Sequence, residues 1–139
     1  MIRYLLDTNV LSEPTKLSPN SRLIDRLSAM GGEVGMASVT WHELLYGLRR
    51  MPGGKRRDMI ADYLYGVVEP TTPVFPFDTP AAEWLAQERA RLDAEGRPRP
   101  VVDGMIAAVA ATRGLTLVTR NAADFGGFSD LTIENWFEA

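Results

Sequence analysis

Five oxygen-bearing side chains fall just past apolar, strand-like runs or near the starts of the helices that follow. They are Asp7 after RYLL, Glu43 in VTWHELLYG, Asp103 in DGMIAA, and Asn121 and Asp124 after LVTR. Such hard oxygen donors suit Mg²⁺ or Mn²⁺, whereas zinc favours cysteine or several histidines. The chain has no cysteine and one histidine, His42. Two carboxylates about 4 Å apart repel by roughly 4 kcal/mol at an effective dielectric near 20, so three or four together call for a cation. A divalent ion reverses that repulsion and lowers the pKa of a bound water, so that water can attack near neutral pH. A second ion would stabilise a leaving oxygen, the chemistry by which nucleases cut phosphodiesters.

Each of these residues also has a purely local role to be weighed. Asp7 and Asp103 stand where helix N-caps belong, and an acid there gains about 1 kcal/mol without any metal. Asn121 and Asp124 are spaced like a capping pair opening a short helix. At about 100° per residue, Glu43 lies nearly opposite the Trp41, Leu44, Leu45, Leu48 stripe, on a polar face with Tyr46, Gly47 and Arg50. Gly47 costs about 1 kcal/mol relative to alanine inside a helix, so it either clears room beside Glu43 or admits a closely packed neighbour.

Other chemistries fail on the residues present. HELLY at 42–46 begins like the zinc-protease HExxH pattern, but Tyr46 occupies the second histidine position. There is no GxxxxGK[ST] loop, no GxGxxG after the first strand, and no GxSxG elbow for a serine nucleophile.

The elements that must position the acids alternate. Ile2–Leu6 is strand-like, and Thr8–Glu13 reads as a short helix stopped by Pro14. A helix then runs to about Met30, followed by a strand at 34–38 and a helix at 39–50. The turn at 52–55 leads into a second amphipathic helix with Met59, Ile60, Tyr63, Leu64 and Val67 as its stripe. PVFPF at 73–77 is a third strand, and Asp78 caps the next helix, with Pro80 in its first turn and Gly96 past its end. An alanine-rich helix at 103–114, slim enough to pack tightly on a sheet, precedes the strands LTLVT and LTIEN. This alternation implies an α/β fold: a mostly parallel central sheet of about five strands, flanked by helices.

Length fits a single domain over residues 1–139, with 45% hydrophobic residues to fill one core. The net charge of −3 argues against broad, nonspecific nucleic-acid binding. No apolar run approaches the roughly 20 residues that span a bilayer, and the absence of cysteine fits a reducing cytoplasm.

LLDTNVLSE, the helix acid of VTWHELLYG, DGMIAA and LVTRNAADF, in that order and at these separations, resemble a PIN-domain ribonuclease. In particular the chain is similar to VapC toxins of bacterial toxin-antitoxin modules, including their FitB-like branch. The likeness covers essentially the whole chain, with PFD at 76–78 and the helix ending in AEG also in place. It implies a three-layer PIN-like fold and Mg²⁺-dependent endonucleolytic cleavage of tRNA, rRNA or mRNA that inhibits translation. Asp7, Glu43 and Asp103 then match an acidic triad, with Asp7 and Asp103 as direct metal ligands and Glu43 placing the ion or the attacking water. The fourth acidic position falls on the neutral Asn121 or on Asp124. Thr8 and Thr119 would hydrogen-bond the phosphate or a metal-bound water, with Arg50, Arg120, Arg97 and Arg99 among the basic residues flanking RNA. The implied partners are a cognate antitoxin, with the helical hairpin at 39–68 as its seat, and a second copy of the chain in a homodimer. Two alternatives stay open: a PIN-fold module that binds RNA or protein without cutting, for which Asn121 speaks, and a phosphohydrolase of small substrates.

Overall fold

The computed structural model describes residues 1–138. Five parallel strands, β1 (Tyr4–Leu6), β2 (Val34–Ala37), β3 (Val74–Phe75), β4 (Thr116–Val118) and β5 (Ile133–Glu134), form one sheet in the order β3-β2-β1-β4-β5. Every residue of β1 and β2 is buried, as a parallel sheet with helices on both faces requires. Alternation along β1 sends Tyr4 and Leu6 into one layer of the core and Leu5 into the other.

On the first face lie α1 (Thr8–Ser12), α2 (Ser21–Ala29) and α3 (Ser38–Arg50), contributing Val10, Leu23, Leu44 and Leu48, with α4 (Lys55–Tyr63) packed against them through partly buried Ile60, Ala61 and Tyr63. A wide π turn, Leu64–Val68, carries α4 into the short α5 (Glu69–Thr71). On the second face α6 (Thr79–Ala94) and α7 (Val101–Arg113) pack together through Leu85, Leu92, Ile106 and four alanines. Gly104 permits this approach: a Cβ there would stand 2.7 Å from Leu85 Cδ1. Gly35 does the same in the sheet, where a Cβ would meet the Phe75 ring at 2.6 Å and the Pro73 carbonyl oxygen at 3.1 Å.

The fold class expected from the sequence is the one observed, with differences at particular residues. Met59 and Val67, expected on the buried stripe of the second hairpin helix, are 62% and 52% exposed. The π turn adds a residue to the helical repeat after Leu64, so Val68 takes the inward position instead. The third strand shrinks to Val74–Phe75, since Pro76 cannot donate to the ladder. The alanine-rich helix begins at Val101, which makes Asp103 its third residue and leaves Pro100 as the N-cap. Asp78 does cap α6, accepting the Ala81 N–H at 3.2 Å.

The chain builds β1, β2 and β3 in one direction and then returns to lay β4 on the other side of β1. The order therefore reverses between β1 and β4, and in open α/β sheets ligands bind outside the carboxyl ends of the strands at this switch point.

Candidate metal centre and active site

Asp7 stands at that point. Its backbone N–H still belongs to the sheet, donating to the Val118 carbonyl at 2.9 Å, while its side chain turns to cap α1 by accepting the Thr8 N–H at 2.8 Å. The other carboxylate oxygen, Oδ2, accepts the Thr119 hydroxyl at 2.8 Å and the Asn9 side-chain amide at 3.2 Å. Burial pushes the Asp7 pKa above the ordinary carboxylate value, and the nearby charge of Glu43 pushes the same way. Hydrogen bonds from Thr119, Thr8 and Asn9 oppose that rise by favouring the ionised form.

Glu43 reaches the same edge from the second turn of α3, and its Oε1 accepts the Thr8 hydroxyl at 2.8 Å. Asp103 approaches from the first turn of α7. Its pKa is pushed up to about 6, first by burial and then by the charges of Asp7, Asp124 and Glu43, with Arg99 opposing. Four acids from four segments therefore act on one another, and among the described residues none of them is in an ion pair. Among those residues no three His, Cys, Asp or Glu side chains are drawn to the spacing of ligands on one shared ion. The coupling between the acids is one of charge rather than of common contact. Chemically the donor set suits a hard divalent cation: carboxylates, of which Asp103 is lifted first by burial and then by the repulsion of its neighbours, with hydroxyl and amide oxygens beside them.

The remaining expected residues divide. Thr119 is fully buried and its hydroxyl is committed to Asp7, so it positions that carboxylate and does not reach a substrate. Asn121 makes no side-chain cap; the 3-10 turn Ala122–Phe125 is closed by the backbone, with the Asp124 N–H donating to the Asn121 carbonyl at 3.0 Å. Of the two candidates for the fourth position, Asp124 is the one whose charge reaches Asp103. Arg50 lies seven residues beyond Glu43, about 10 Å along the helix, with its guanidinium over the Tyr46 ring at 4.8 Å. Arg120 is drawn away from the acids, lying 4.4 Å above the Phe137 ring and 3.7 Å from buried Glu13.

Sequence reasoning passed over Asn9, which ties the two sides of the switch point together. Its amide nitrogen serves Asp7, while its carbonyl oxygen accepts the Arg120 N–H at 3.1 Å. The unbroken polar run DTN after a buried strand was the available signal. Beside Thr8 and Glu43 opens an apolar cavity of about 260 Å³ lined also by Leu44, Gly47, Leu48 and Leu64.

Comparison with known proteins gives the family. The PIN domain family matches residues 4–128. Toxin FitB of Neisseria gonorrhoeae is 32% identical, covering 96% of this chain and 99% of its own. The tRNA(fMet)-specific endonuclease VapC of Shigella flexneri is also 32% identical, covering 98% of this chain and 99% of its own. The crystal structure of FitAcB from Neisseria gonorrhoeae superposes with a TM-score of 0.90 at 32% identity, covering 98% of this chain and 99% of that one. A sheet whose switch point gathers acids, matched over nearly its whole length by these relatives, identifies the chain as a member of the PIN-domain family, within its group of VapC and FitB toxins.

Proposed function

We propose that this single PIN domain, residues 1–139, is a divalent-metal-dependent endoribonuclease and the toxin of a toxin-antitoxin pair. The observation that carries the reading is the mutual electrostatic influence of Asp7, Glu43, Asp103 and Asp124 at the carboxyl ends of the strands, with Asp103 lifted to about 6 first by burial and then by the other three charges. Asp7 and Asp103 would hold Mg²⁺ or Mn²⁺, with Glu43 and Asp124 completing the negative field. When bound, such an ion polarises water and stabilises charge developing on a phosphodiester. The chain's own residues do the rest. Thr119 and Asn9 fix the rotamer of Asp7, and Thr8 fixes Glu43 where its free oxygen can orient the attacking water and take up its proton. The chain's likeness to VapC proteins named as ribonucleases supports RNA as the substrate.

A cognate antitoxin as partner is supported by the solved relatives, which include FitAB and VapBC complexes. The apolar cavity beside Glu43, lined also by Leu44, Leu48, Met51 and Ile60, suits it, and a homodimer would use the remaining hairpin surface, where Tyr46 and Met59 are exposed. Among the described residues no helix is long and apolar enough to cross a membrane. Cytoplasmic RNA is the expected target.

The test is cleavage of tRNA and ribosomal RNA pools with Mg²⁺, with Mn²⁺ and with EDTA, by wild type and Asp7→Asn. Cleavage should need the metal and vanish in the variant. Undiminished cleavage by Asp7→Asn would overturn the mechanism. Tight RNA binding without cleavage by folded wild type would support the binding module that the neutral Asn121 favours.

A further inference from the structure

Between α6 and α7 runs Gly96-Arg97-Pro98-Arg99-Pro100. Proline on each side of Arg99 restricts its backbone to extended conformations, so the residue is presented from a stiff segment. The two arginines of this segment meet different surroundings. Arg97 pairs with Glu95 at 2.9 Å and packs on Gly127. The Arg99 guanidinium instead lies 3.8 Å from where a Cβ on Gly126 would stand, and Gly126 directly follows the 3-10 turn that carries Asp124.

Arg99 therefore sits at the rim of the acid cluster between Asp103 and the Asp124 turn. Its charge is felt by Asp103. Yet among the described residues no carboxylate oxygen lies within 4.0 Å of it, whereas Arg91, Arg113 and Arg120 are each tied to one. Its Nε is buried without a hydrogen-bond partner. A guanidinium whose inner N–H is buried without an acceptor and whose head makes no ion pair is held in place by packing rather than by a protein anion, so its charge stays available to a ligand. A cluster of four acids repels a polyanion, so an uncommitted cation at its rim is where a phosphate can enter.

We propose that Arg99 is the phosphate-binding residue of this site, its two terminal Nη–H groups donating in parallel to non-bridging oxygens of the phosphodiester to be cut, while the buried Nε end of the guanidinium stays packed in the protein. This rests on the ribonuclease reading. In that reaction a water oxygen bonds to phosphorus as the bond to one ribose oxygen breaks. The water gives up a proton, and the departing oxygen gains one. Negative charge builds on the non-bridging oxygens in between, and the planar fork of arginine meets two of them where lysine meets one. Arg99 transfers no proton.

The experiment compares wild type, Arg99→Gln and Arg99→Lys, with circular dichroism melts to confirm folding. Binding of a fluorescein-labelled, mixed-sequence single-stranded RNA is followed by anisotropy over a series of NaCl concentrations, with Ca²⁺ in place of Mg²⁺. Cleavage is measured separately with Mg²⁺. Arg99→Gln should flatten the slope of log affinity against log salt by about 0.7, the value of one phosphate contact on a single strand. Arg99→Lys should keep the slope, because it keeps the charge, but lose kcat by about tenfold or more, because it loses the paired hydrogen bonds. A structural role alone would lower the melting temperature and leave the slope unchanged. An unchanged slope in Arg99→Gln overturns the proposal, and so does a wild type that binds no RNA. If wild type binds but never cuts, the ribonuclease reading fails, while the slope still decides the phosphate contact. Should Arg99→Gln not fold, full kcat in Arg99→Lys overturns the proposal.

Discussion

The hydroxyl of Thr119, at the end of β4, donates to Asp7 Oδ2 at the end of β1 across 2.8 Å, and both residues are buried. This one bond spans the point where the strand order reverses, joining the carboxyl ends of the two strands that frame the acid cluster. Because it is a hydrogen bond to the charged form, it opposes the burial that raises the Asp7 pKa above the ordinary carboxylate value.

Replacing Thr119 by valine keeps the shape and removes the donor. A hydrogen bond to a charged group contributes about 1.5–3 kcal/mol, so Thr119→Val should lower metal affinity and cleavage by about tenfold or more. Thr119→Ser should restore most of both. Calorimetric titration with Mn²⁺ alongside a cleavage assay checks this, and equal behaviour of valine and serine would count against the positioning role.

Asp103 makes a prediction about metal-free protein. Its folded pKa is raised to about 6 from an ordinary value of 3.8, so the folded state binds this proton more tightly than the unfolded one. The charged group therefore destabilises the fold above about pH 6, and the penalty is relieved as pH falls from 6 toward 3.8. Asp103→Asn should melt higher than wild type at pH 7.5 in EDTA, by about 1 kcal/mol after solvent screening of this part-exposed side chain. The difference should shrink toward pH 4. Adding Mg²⁺ should stabilise wild type more than the variant, since it binds only the folded site.

Gly47 faces open space: nothing lies within 4 Å of a Cβ built there. Close helix packing is thus not its reason, and its place in the cavity beside Glu43 remains. Gly47→Ala should raise stability by about 0.5–1 kcal/mol through helix propensity. If the antitoxin fills this cavity, the same change should weaken the complex without lowering cleavage by the free chain. A denaturant melt and an antitoxin titration separate the two effects.

What the sequence made legible follows from which forces are local. Asp7 could be placed because a buried strand ends at Leu6 and a cap is needed at the next residue, and Asp78 could be read as a cap for the same reason. Glu43 was correctly set off from the buried stripe, since helical angle alone fixes which side of α3 it takes. Val67 was misplaced because a π turn changes the repeat without leaving any periodic mark in the sequence. Asp103 fell two residues inside its helix because Val101 and Val102 carry no start signal of their own. The commitments of Arg120 to Phe137 and Glu13, and of Thr119 to Asp7, join residues more than a hundred positions apart or in separate elements. Such pairings depend on the register of strands and the docking of the chain end, which no local pattern encodes.

In this mechanism Asp7 and Asp103 hold one divalent cation, and Mn²⁺ binding followed by electron paramagnetic resonance tests that most directly. Wild type should bind Mn²⁺ near neutral pH, Mg²⁺ should compete for it, and Asp7→Asn and Asp103→Asn should each weaken the binding at least tenfold while remaining folded. Full-strength Mn²⁺ binding in both variants would contradict the account.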